Sequence, residues 1–143
     1  MRQLLSALAL SGAMLSLTVS GSNAAMTKAT VRLRPPANQH MMAIAHTSGT
    51  ARISYTAHNA DIKLTADNLP RPSALHEGAY VLWLVTGMHK VNAGSLKIDG
   101  NRAGLHAMTM DVMFNRLVVT AEKSAAAKAP MGPRVLVGTV MHR

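Results

Sequence analysis

Histidine and methionine are the chemically unusual side chains of this sequence: seven histidines and eleven methionines occur in a chain with no cysteine. Met1 and Met14 fall in an apolar N-terminal segment, and many of the remainder sit close to histidines. His40, Met41 and Met42 are contiguous, Met88 precedes His89, and His106, Met108 and Met110 alternate, with Met113 close behind. Thioether sulfur and imidazole nitrogen belong to the donor set that selects Cu(I). A candidate copper site is therefore His40, Met41, Met42, His106, Met108 and Met110, provided the two segments meet. A strand would place His106, Met108 and Met110 on one face. Methionine also fills irregular gaps in cores poor in aromatic residues, and core packing is the preferred expectation for Met108 and Met110. His46, His58, His76 and His142 read as ordinary loop or strand-end histidines.

Catalytic machinery is hard to assemble from what remains. Six carboxylates are spread singly along the chain, with Asp61, Asp67 and Asp111 best read as turn or edge residues. There is no Gly-rich phosphate loop after a strand, no GxSxG elbow and no HExxH helix. The expectation is a non-enzymatic protein with no catalytic residues and no cofactor, copper being the alternative.

The positioning elements begin after an export signal. Met1 and Arg2 precede the uncharged stretch LLSALALSGAMLSLTV and the small-residue exit SGSNAA, which reads as a signal peptide over residues 1–25. Cleavage is expected after Ala24 or Ala25, leaving residues 26–143 as a single domain in the periplasm or outside the cell, with no transmembrane span after processing. Without Arg2, fourteen lysines and arginines face six acids, so the mature domain carries about eight positive charges. Such a balance favours encounter with anionic envelope components. Nucleic acid is not an expected partner, because the cations are scattered and aromatic platforms are few.

Periodicity points to strands throughout. Val31 and Leu33 alternate with Arg32 and Arg34 before Pro35 and Pro36, as in a charged edge strand. Ile53 and Tyr55 alternate with Arg52 and Ser54, and Ile62, Leu64 and Ala66 alternate with Asp61, Lys63 and Thr65, giving two half-buried antiparallel strands. MMAIAH is strand or turn. DNLPRPSALHEG reads as a crossing loop that delivers the chain into AYVLWLV, a strand apolar on both faces. Tyr80, Leu82, Trp83 and Leu84 are expected in the core, with Trp83 between two sheets. Asp99 and Gly100 mark a tight hairpin, RLVVTAE and RVLVGTV are further strands, and SAAAKAPMGP joins them as a loop. About eight short strands at regular spacing predict an all-β, immunoglobulin-like antiparallel β-sandwich.

The segments GAYVLWLV, NAGSLKIDG, LVVTAE and PMGPRVLVG resemble the extracytoplasmic C-terminal domain of anti-sigma-K factors over about residues 50–140. Ala79, Tyr80, Leu82, Trp83 and Leu84 match its AYxLWL strand, and Ala93 and Gly94 its AG hairpin. Val119, Thr120 and Glu122 match its VTxEP strand, and Pro130, Gly132 and Pro133 its PTGP turn. Lys123 stands where that family has proline, SAAAK replaces a glycine-rich turn, and Met131 stands where threonine is usual. The resemblance implies a fold and a role as an exported interaction or envelope-sensing module with an unknown partner. It excludes the family's sigma-binding and transmembrane parts, so sigma-factor binding is not carried over. Adhesion to an anionic envelope polymer is a third expectation.

Overall fold

The computed structural model describes residues 27–38 and 41–141. The expected signal peptide with its cleavage site, and His40 and His142, lie outside the described residues. Among the described residues nine strands run in the order β1 (Thr27–Leu33), β2 (Ser48–Tyr55), β3 (Ala60–Asp67), β4 (Ala79–Thr86), β5 (His89–Ser95), β6 (Lys97–Asp99), β7 (Arg102–Thr109), β8 (Arg116–Glu122) and β9 (Arg134–Thr139). Two short 3₁₀ turns, Met42–Ile44 and Pro72–Leu75, interrupt the connections β1–β2 and β3–β4. MMAIAH is thus partly a turn, with Ile44 buried beneath it. Among the described residues no helix is long and apolar enough to cross a membrane.

The strands form two antiparallel sheets, ordered β1-β2-β3-β7-β6 and β5-β4-β8-β9. Their facing sides share one core, to which the first sheet contributes Val31, Ile53, Ile62 and Leu64 and the second Tyr80, Leu82, Leu84, Leu117 and Val119. Period-two alternation causes this, since each apolar residue of β2 and β3 faces inward while its charged neighbour faces out. The expected alternation in both strands is present. Past Leu33, Arg34 leaves the first sheet and pairs with Val137 of β9, through backbone bonds of 3.0 and 2.8 Å, closing one side of the layered structure.

Glycine makes the two tightest hairpins. Gly87 and Gly100, at φ +60 and +65, each open a two-residue loop, between Thr86 and His89 and between Asp99 and Arg102. The left-handed region costs glycine nothing, and a glycine at the first central position followed by a residue of ordinary φ is the pattern of a type II′ hairpin turn.

Strand β4 is buried on both faces, as its composition predicts, but Trp83 lies on the side opposite to the one expected. Tyr80, Leu82 and Leu84 point into the shared core. Val81, Trp83 and Val85 point outward, forming with Val118 a second, smaller cluster against Ala127 and Val137. The β8–β9 connection covers this outer face, so Trp83 is fully buried without lying between the sheets. A strand apolar on both faces carries no sign of which face meets the partner sheet.

That covering loop is fixed by polar contacts. The Trp83 Nε1 donates to Thr120 Oγ1 at 2.8 Å, and the Thr120 hydroxyl donates to the Glu122 carboxylate. Glu122 also accepts from the backbone amides of Met131 and Gly132 at 3.1 to 3.2 Å. Upstream, Asn92 Nδ2 donates to the carbonyls of Ala125 and Ala127 at 3.1 and 2.9 Å. Gly132 is required here, because a Cβ would stand 1.7 Å from the Ala121 carbonyl oxygen. The buried Glu122 is therefore a structural clamp whose acceptor oxygens are satisfied by local chain.

Candidate functional site

Methionine does not fill the core of this protein. Met108 is 68% exposed and Met110 81%, which overturns the expectation that they are packing residues. His106 and Met108 project from the outer face of β7, whereas Met110 lies one residue beyond the strand's end at Thr109. Two of the three alternating residues thus share a strand face and the third belongs to the following connection.

Every large apolar side chain found exposed among the described residues is a methionine: Met42, Met88, Met108, Met110, Met113, Met131 and Met141. Leucine, isoleucine, phenylalanine and tryptophan of the same region do not appear in that set. A domain that sorts its other large apolar residues inward, and leaves only thioethers outside, places sulfur in solvent selectively.

Topology gathers five of these seven at one end. The β2–β3 turn, the β4–β5 turn, the β7–β8 connection and the end of β9 converge there. The amide of Asn115 donates to Val85 at 2.9 Å and the amide of Val140 to Asn115 at 2.9 Å, tying three of those segments together. The rings of Tyr55 and Phe114, 6.0 Å apart between centroids, tie the end of β2 to the same connection. Met88 sits in the β4–β5 turn beside His89, Met108 lies opposite Asp61 near the end of β7, Met110 and Met113 flank Asp111 and Val112, and Met141 follows β9. His58 occupies the β2–β3 turn.

A groove of about 660 Å³ opens at this end, between the start of β1 and the end of β9, with Tyr55, Val112 and Met141 among its lining residues. The β7–β8 connection is shaped locally: the Asp111 amide donates to Thr109 Oγ1 at 3.0 Å, and the Met113 amide donates to Asp111 Oδ1 at 2.9 Å. These turns hold Met110 and Met113 in exposed positions on either side of Asp111. His106 Nε2 lies 2.6 Å from the Asp61 carboxylate, which accepts its hydrogen bond, so the imidazole is already oriented.

Met41 and Met42 lie elsewhere. Their connection joins β1 to β2 at the opposite end, where Thr47 bonds to Asn68 and Leu69 to Asn101. The meeting on which that copper set depends does not occur for Met41 and Met42, because antiparallel pairing of β1 and β2 sends their connection away from the β7–β8 end. Met41 is half-buried against the core and Met42 is exposed. Of the copper set, Met41 and Met42 are thus parted from His106, Met108 and Met110, and His40 lies outside the described residues. Met113 shares the connection of Met110, while Met88 and Met141 come to that end from other elements, a grouping that depends on the order of connections.

Among the described residues no three His, Asp or Glu side chains are grouped so as to hold a metal ion. Thioethers are consequently the donors this end has in quantity. No known protein family, curated protein or solved structure matches the chain.

Proposed function

We propose that this protein is an exported, non-enzymatic binding domain that takes up Cu(I) at its methionine-bearing end. The carrying observation is that, among the described residues, the exposed large apolar side chains are all methionines and that Met88, Met108, Met110, Met113 and Met141 share one end. Thioethers are neutral, soft donors, which bind Cu(I) without the deprotonation that thiolates need. In an oxidising compartment they also avoid disulfide chemistry, and the chain has no cysteine to undergo it. Met108, Met110 and Met113 follow one another along a strand end and turn, while Met141 lines the adjoining groove.

In this proposal the N-terminal segment is the export signal, and the two sheets are connected as an immunoglobulin-like sandwich. The likeness to anti-sigma-K outer domains bears on that architecture and brings no binding residue with it.

The test is Cu(I) competition against a chromogenic chelator, using the mature chain and two variants. Met108→Leu, Met110→Leu, Met113→Leu and Met141→Leu together should abolish capture while conserving volume, and so leave the circular dichroism spectrum unchanged. Met42→Leu with Met131→Leu, at the other end, should retain it. Equal capture by both variants, or none by the unaltered chain, contradicts the proposal.

A further inference from the structure

The outer face of the five-stranded sheet carries a second surface, built from cations and hydroxyls, with Met108 only at its margin. Strand register places Thr30 opposite Arg52, Arg52 opposite Lys63, and Lys63 opposite His106, making one row across four strands. Lys28 and Arg32 flank Thr30 along β1 on the same face, about 13 Å apart at the usual rise of an extended strand. Arg52 and Lys63 are both exposed. Like charges directly opposite on adjacent strands repel, so this pairing costs the free fold some stability.

No compensating carboxylate is engaged. The ion pairs on this sheet join Asp67 to Arg102 and Asp61 to His106, and among the described residues neither reaches Lys28, Arg32, Arg52 or Lys63. A shallow depression of about 270 Å³ lies between Lys28, Thr30, Arg52, Ser54 and Lys63, with Asp61 at its margin. Hydroxyl groups thus alternate with cations over an open face.

We infer that this face binds a linear anionic polysaccharide. Four uncompensated cations supply charge complementarity to carboxylate or sulfate groups, and Thr30 and Ser54 offer hydroxyl partners to sugar oxygens. The four cations surround no aromatic platform for nucleobases. Apart from Met108 at the margin, no large apolar residue is exposed on these rows to anchor in a bilayer. A polysaccharide also relieves the repulsion between Arg52 and Lys63, so binding should stabilise the fold by linkage.

The probe is a polyuronate oligosaccharide, measured by calorimetry and by thermal unfolding at physiological ionic strength, with the mature chain and two double variants of equal charge loss. Arg52→Gln with Lys63→Gln should weaken binding about tenfold or more, since two charge-assisted contacts are lost. The same variant, without ligand, should unfold at an equal or higher temperature than the unaltered chain. Lys90→Gln with Arg116→Gln, on the other sheet, should leave affinity within about twofold, as screening limits the influence of distant charge. Equal weakening by both variants reduces the effect to net charge and overturns the assignment. Absence of binding, or tighter binding to anionic phosphatidylglycerol vesicles or to single-stranded DNA, overturns it as well.

Discussion

At the scale of single residues, Trp83 shows how a residue can be essential to the fold from an unexpected place. Its indole is buried on the outside of the second sheet and donates to Thr120, which in turn reaches the clamp Glu122. Trp83→Ala removes a large aromatic from beneath the β8–β9 loop and the donor that Thr120 accepts. The unfolding free energy should fall by about 3 to 5 kcal/mol, as measured by chemical denaturation. Hydropathy identified Trp83 as buried but could not assign its side, because Val81, Trp83 and Val85 are as apolar as Tyr80, Leu82 and Leu84. Met108 and Met110 failed in the opposite sense. Their hydropathy points inward, whereas Met108 lies on the outward face of β7 with His106, which pairs with Lys63 across the sheet, and Met110 lies in the connection beyond.

At the scale of elements, the strands from Ser48 to Asp67 were legible because charge and apolarity alternate cleanly, and β4 because it does not alternate at all. The connections were less so. Residues 68–78 are held by contacts remote in sequence: Leu69 bonds to Asn101 at 3.1 Å, and the Tyr80 hydroxyl donates to the Pro70 carbonyl at 2.6 Å. Asn68 and His76 bracket this connection in left-handed conformations, at φ 59 and 60. Burial pushes the Tyr80 phenol up to about 12, and raises Tyr55 as well. The neutral phenol is thus favoured in the folded chain, and its contribution to stability is full below the ordinary tyrosine range near pH 10. Stability falls as pH rises from there toward 12, where the unfolded chain has released a proton that the folded one retains. Ultraviolet titration should show no Tyr80 phenolate at pH 10.5 in folded protein, with absorbance rising only together with unfolding; a full phenolate signal from an intact fold at that pH would contradict the buried placement.

At the scale of the whole molecule, an all-β fold was legible from strand spacing and turn residues, while the candidate site was legible only in its ingredients. Histidine and methionine stood out by type, yet their grouping depends on which loops share an end. Met88 and Met141 join Met108, Met110 and Met113 because hairpins β2–β3 and β4–β5 point the same way as the β7–β8 connection. Met41 and Met42 are sent to the other end by the first hairpin-like pairing. The methionine-bearing end and the basic outer face thereby give the domain two surfaces, one of neutral soft donors and one of cations, which adjoin at Met108. The most direct measurement is a Cu(I) titration of the mature chain labelled with carbon-13 at its methionine methyl groups and followed by NMR. The expected result is that methyl resonances of Met108, Met110 and Met113 shift first, joined by Met141 or Met88, and saturate at a fixed stoichiometry while Met42 and Met131 stay in place. Shifts spread evenly over all exposed methionines, or none at stoichiometric copper, would contradict a thioether site at this end of the fold.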